Sequence, residues 1–151
     1  MNAIMKATVI AAVSALAVAS TLPLAATAQA VPDSKDYYFQ SPSGNIHCGM
    51  HQGVNNTRVE CDIADHTWAA PPPPPSASCN PGDFAAIAMW DEPRFECSSG
   101  WDRAQPGETL NYGQTRTVGD FICESEPSGV TCTRTNTGHW FRIAQDSFEL
   151  H

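Results

Sequence analysis

The chain predicts a small all-β domain, a sandwich or barrel of short hairpins stapled by disulfides. Three observations lead there. Short alternating segments are punctuated by Gly, Pro and Asn; the cysteine count is even, at six; and the first stretch has the make-up of an export leader.

The leader sets the compartment. Lys6 is its single positive charge, and Ala7 to Ala19 is Ala, Val, Ile and Leu broken only by Thr8 and Ser14. Pro23 ends any helix, and Ala28-Gln29-Ala30 is an A-x-A cleavage site, so residues 1–30 read as a signal peptide. The apolar run falls short of the roughly 18 residues that a membrane span needs. No cysteine sits just after the cleavage site for lipidation, and Phe148-Glu149-Leu150-His151 is no retention signal. Residues 31–151 are therefore expected as one secreted domain, with no membrane insertion after cleavage. An Asn55-Asn56-Thr57 sequon matters only in a eukaryotic secretory pathway.

Charge removes two function classes. The 151-residue chain carries 8 Lys and Arg against 16 Asp and Glu, a net charge of −8. The leader holds one of those lysines and no acid, so the remainder is more acidic still. Such a surface repels phosphate backbones and anionic lipid, so no nucleic-acid partner is expected.

Cys48, Cys61, Cys79, Cys97, Cys123 and Cys132 all lie in the expected secreted part and read as a disulfide framework. Of the 15 pairings that six cysteines allow, the spacing favours neighbours: 48–61, 79–97 and 123–132. Two segments look like variants of one unit. Gly44-Asn45-Ile46-His47-Cys48 precedes Arg58-Val59-Glu60-Cys61 and His66-Thr67-Trp68. Gly119-Asp120-Phe121-Ile122-Cys123 precedes Gly129-Val130-Thr131-Cys132 and His139-Trp140. The match is short, and convergence on hairpin chemistry accounts for it as an alternative to an internal duplication. Side-chain alternation puts Ile46, Cys48 and Met50 on one face, opposite Val59, Cys61 and Ile63. In the second unit, pairing Cys123 with Cys132 sets Ser125 against Val130. The loop is then Glu126-Pro127-Ser128-Gly129, whose Pro and Gly suit a type I turn.

Pro71 to Pro75 reads as a stiff polyproline connector within the domain. Phe84 to Trp90 and Arg94 to Cys97, around Asp91-Glu92-Pro93, predict a third hairpin. A short helix over 83–90 is the alternative, favoured by Ala85, Ala86 and Ala88. His139 to Ile143 and Ser147 to Leu150 predict two further strands.

No catalytic, cofactor or metal residue is assigned from the sequence. His47 and His51 would share a helical face as zinc ligands do, but Gly49 and the strand pattern oppose a helix, and Cys48 is expected in a disulfide. Ser43 lacks a nucleophile elbow, no cysteine is left over as a thiolate, and the pairs Asp62/Asp65, Asp91/Glu92 and Glu124/Glu126 read as surface acids. The remaining signal is aromatic. Trp68, Trp90, Trp101 and Trp140 are candidate ligand-contact rings, with buried core rings as the competing reading.

Phe39, Ser41-Pro42-Ser43-Gly44-Asn45-Ile46, Cys48, Arg58 to Ile63, Gly129 to Cys132 and Thr137-Gly138-His139 with Phe141 together resemble a family. It comprises small exported actinobacterial proteins of mycobacterial type, catalogued as a domain of unknown function. The resemblance covers about Tyr37 to Leu150 and implies an actinobacterial envelope or medium, with no activity to carry over. The leading expectation is a non-enzymatic secreted module that binds a protein or glycan. The alternative is a small extracellular hydrolase or hydrolase inhibitor.

Overall fold

The computed structural model describes residues 36–53, 57–72, 79–80 and 83–151. The chain divides into Met1–Ala30 and Val31–His151, and all described residues belong to the second unit. The expected leader, the two asparagines of the sequon and Pro73 to Pro75 of the connector lie outside them.

This unit is an all-β sandwich. Its strands are β1 (Asp36–Gln40), β2 (Ile46–His51), β3 (Arg58–Ile63), β4 (Phe84–Met89) and β5 (Pro93–Ser98). The short helix α1 (Trp101–Ala104) follows, then β6 (Glu108–Thr109), β7 (Thr115–Val118) and β8 (Phe121–Glu126). β9 (Gly129–Arg134), β10 (Trp140–Ile143) and β11 (Phe148–Leu150) complete it. One sheet runs β5-β4-β3-β2-β1-β6 and the other β11-β10-β9-β8-β7. Among the described residues no strand is shared between the sheets, which selects the sandwich over the barrel. All pairings are antiparallel except β1 with β6.

The two similar units become β2–β3 in one sheet and β8–β9 in the other. Cys48 lies directly opposite Cys61, and Cys123 opposite Cys132, each pair with Cα atoms 4.1 Å apart and bonded. Ser125 faces Val130, the register that the sequence predicts. All four sulfurs point inward, and Cys61 Sγ sits 3.9 Å from Cys132 Sγ across the sandwich. Ile46, Met50, Val59, Ile63, Phe121 and Val130 are buried with them. Gly129 has φ 133°, and a Cβ there would come 2.5 Å from the Ile143 carbonyl oxygen. That residue must be glycine for the hairpin to pack on β10.

Residues 84–89 form a strand and not the alternative helix. β4 pairs with β3 on one side and β5 on the other, and Ala86 and Ala88 fit its outer face between the longer side chains of those neighbours. Two-sided pairing overrides the helix propensity of three alanines. The Cys79–Cys97 bond ties the long β3–β4 connection to β5.

Across the sheets, Arg134 of β9 reaches the Trp90 carbonyl at 2.5 Å and Asp91, and within its own sheet it bonds Asp120 at 2.8 Å. At the other end the Trp68 indole donates to the Ala144 carbonyl at 2.8 Å, and its ring packs edge-on against Phe95 and Phe148. Among the described residues no helix is long and apolar enough to cross a membrane.

Replacing Cys48 and Cys61 together by Ala should lower the unfolding free energy by about 3 kcal/mol, the loop-closure contribution of one such bond. Because Cys61 touches Cys132, removing both core disulfides should cost an amount different from the sum of the two separate losses. Urea titration of the three variants measures this. Strict additivity would show that the sulfur contact couples nothing.

Candidate functional site

Polar side chains converge at several places, among them an end groove and the outer face of one sheet. The first is an open groove of about 630 Å³ at one end of the sandwich. It lies among the β1–β2 turn, the segment after β3, the β8–β9 tip and the β10–β11 loop. Its polar lining includes Ser43, Asp65, Glu126, Gln145 and Asp146, and no histidine lines it. Tyr112, 45% exposed, contributes an aromatic ring. The loops are held in shape. Asn45 accepts from Asp65 N at 2.8 Å and donates to Asp65 O at 2.9 Å, and Thr67 N donates to Gln145 O at 2.9 Å. Arg142 in the wall is occupied by Glu149 and the Ser128 carbonyl. Asp65, Glu126 and Asp146 make no ion pair with any described Lys, Arg or His. The groove is therefore a polar, net acidic concavity with one stacking surface.

The second place is the outer face of β2 and β3, beneath α1. Strand alternation points His47, Gly49 and His51 away from the core sulfurs, as the sequence pattern predicts, and α1 covers them. His51 Nδ1 donates to Asp36 Oδ1 at 3.0 Å. On the ring's other side Nε2 lies 3.5 Å from Asp102 Oδ1, in charge contact but without a well-formed hydrogen bond. Gly49 makes that approach possible, since a Cβ there would sit 2.5 Å from Asp102 Oδ2. Next to it, buried Asp62 takes Arg103 Nη2 at 2.5 Å. The two carboxylates grip opposite edges of one imidazole and do not surround a common point. Among the described residues no group of three or more His, Cys, Asp or Glu is disposed to hold a metal.

Burial and charge act differently on these groups. For His51, desolvation is the largest single effect and pulls the pKa down, yet Asp102 and Asp36 together raise it. For His47, desolvation followed by the Arg103 guanidinium lowers it. Desolvation raises Glu60, with Asp102 adding to it, and raises Asp62 despite the opposing Arg103.

The four candidate tryptophans end in different surroundings. Trp68 packs on the core, stacked on His66 with ring centroids 4.0 Å apart. Trp90 lies under the guanidinium groups of Arg94 and Arg58, and Trp140 stacks on His151 at 4.2 Å. Trp101, on α1, is 65% exposed. The structure does not gather them into one patch. Of the acid pairs, Asp62 is buried while Asp65 faces the groove, Asp91 meets Arg134, and Glu124 and Glu126 are exposed. Sequence reasoning missed Tyr112, Asp36 and Asp102. The one available signal was Gly49, because a glycine inside a strand marks a close approach by other atoms.

Geometry and topology thus define a disulfide-stapled two-sheet β sandwich with a polar end groove and a buried charge cluster. Compared with protein-family models, curated proteins and solved structures, the chain matches none. Its three disulfides fit an oxidising, extracytoplasmic compartment.

Two outcomes follow from the cluster. Gly49→Ala should cost about 2 kcal/mol, the scale of overpacking a filled site, as read by thermal unfolding. A neutral substitution would remove the close approach of Asp102. In an NMR titration His51 should titrate above the ordinary histidine value and His47 below it. The raised His51 contributes stability that is complete below the ordinary value and is lost as pH rises through the raised one. The lowered His47 contributes stability present above the ordinary value and lost as pH falls through the lowered one. Coincident titration of the two rings would contradict the assigned surroundings.

Proposed function

We propose that the chain is a secreted, non-enzymatic module that binds glycan at the end groove. The observation that carries this reading is the groove itself, a concavity of hydroxyl, amide and carboxylate groups around the exposed Tyr112 ring. Sugars are recognised by such pairings, with hydroxyl groups bonded at their edges and a ring stacked on an apolar face. The unpaired carboxylates favour neutral or amino sugars over acidic ones. Loops tied by hydrogen bonds present the lining preformed, which lowers the ordering cost of binding. The His51 cluster, where a hydrolase would be sought, is packed under α1 and does not line the groove. The motif string from Phe39 to Phe141 is the support for the mycobacterial-type resemblance and, with it, for a cell-envelope or extracellular setting.

A glycan array with neutral, amino and acidic sugars tests the reading. Binding to a neutral or amino glycan is expected, and Tyr112→Ala should weaken it about thirtyfold, the scale of one aromatic anchor. His51→Gln should leave it unchanged. Absence of binding across the array, or a Tyr112→Ala protein with wild-type affinity, would overturn the groove as a glycan site.

A further inference from the structure

We propose that α1 is a proton-operated strap, held on the sheet by the doubly protonated His51 ring and released when that ring becomes neutral. The argument begins with a count of protons. His51 faces a carboxylate on each of its two nitrogens, Asp36 at 3.0 Å and Asp102 at 3.5 Å. Only the imidazolium offers a proton to both, because a neutral ring has one N–H. The two acids are unequal. The Asp36 side chain is half exposed and meets water, whereas that of Asp102 is 4% exposed. His51 is the only described cation within ion-pair distance of Asp102. Loss of its charge leaves a buried carboxylate with no counter-ion, a state that proteins relieve by moving the group to water or neutralising it.

The other groups facing the ring do not replace that charge. From β3, Arg58 is directed at Glu60, 3.9 Å away, and at the Trp90 face, while Glu60 adds negative charge. From β1, Tyr38 meets the ring edge-on at 5.6 Å. On β2 itself His47 hydrogen-bonds the Gly44 carbonyl, and on α1 Arg103 is taken by Asp62. Arg103 also ties α1 to the sheet, at 2.5 Å to Asp62, at 3.3 Å to the Asn45 carbonyl and over the Phe84 ring, but none of these contacts compensates the Asp102 charge. The helix itself adds little. It is one turn long, closed by Ala104 N to Gly100 O at 3.1 Å, with Gln105 N to Asp102 O at 3.2 Å beyond it. Beneath it lies a cavity of about 240 Å³ lined by Tyr38, Gln40, His47, Asp102, Arg103 and Gln105. Release of the strap would open that cavity and move Trp101.

Amide hydrogen exchange at Ala104 and Gln105, corrected for intrinsic rates and followed from about pH 5 to 9 across the histidine range, tests the strap. In the wild type, protection should fall about tenfold per pH unit above the His51 midpoint, the slope of a one-proton event. In Asp102→Asn, which needs no counter-ion, protection should stay high at every pH. In His51→Gln it should be low at every pH. Each variant is first shown to retain protected β8 and β9 amides. A wild type with no transition, or an Asp102→Asn protein that keeps it, overturns the proposal. Glycan binding at the groove is read separately, so either result leaves the groove reading to its own experiment.

Discussion

Four sulfurs meet at the centre of this sandwich, and the rest of the fold is arranged around that contact. Each core disulfide joins residues directly opposite one another on a hairpin's inner face, and Cys61 and Cys132 touch across the sheets at 3.9 Å. Because strand side chains alternate, turning a cysteine inward turns every second neighbour inward as well. Ile46, Met50, Val59 and Ile63 in one sheet, and Phe121 and Val130 in the other, are buried for that reason. A one-residue slip would carry sulfurs and apolar side chains out together. The bonds therefore protect register as well as restrict the unfolded chain. At about 3 kcal/mol each, they are of the order of a small domain's whole net stability.

With the centre fixed, the ends are free to differ. At one end Arg134 and His139 bind the Trp90–Asp91 turn and close the gap between the sheets. At the other, the loops are fastened by Asn45 and Trp68 but leave the groove open between them. This is the division expected when a rigid core carries recognition on its loops.

The sequence exposed the parts of this design that depend on local rules. Cysteine spacing, alternation and the Pro127-Ser128-Gly129 tip led to both core hairpins and their register, since each is a matter of residues close in the chain. The Phe84 to Met89 segment was ambiguous, because its alanines suit a helix and only the flanking strands settle the matter. The sites were less legible. Asp36, Gly49 and Asp102 belong to three segments that meet only in the folded sheet, and α1 is too short to leave a periodic pattern. Tyr112 carries no motif, and its exposure follows from loops brought together from five parts of the chain. Four tryptophans could be counted from the sequence, but Trp68 and Trp101 differ only in what packs on them.

The outer faces of the two sheets pose the sharper physical question. On one sheet Glu124 and Glu126 stand in solvent, as an antiparallel sheet allows. On the other, His51 and Asp62 are buried under a single helical turn that contributes the buried Asp102. An apolar cover would achieve such burial without desolvating charge, and buried ion pairs are commonly no better than apolar replacements of the same volume. Gly49 adds to the cost, since it gives up strand propensity to admit one carboxylate. A cover held in part by a histidine has one property that an apolar cover lacks: that part of its hold depends on a proton. Burying a titratable ring between two acids is a poor way to gain stability and an effective way to make one short segment respond to pH.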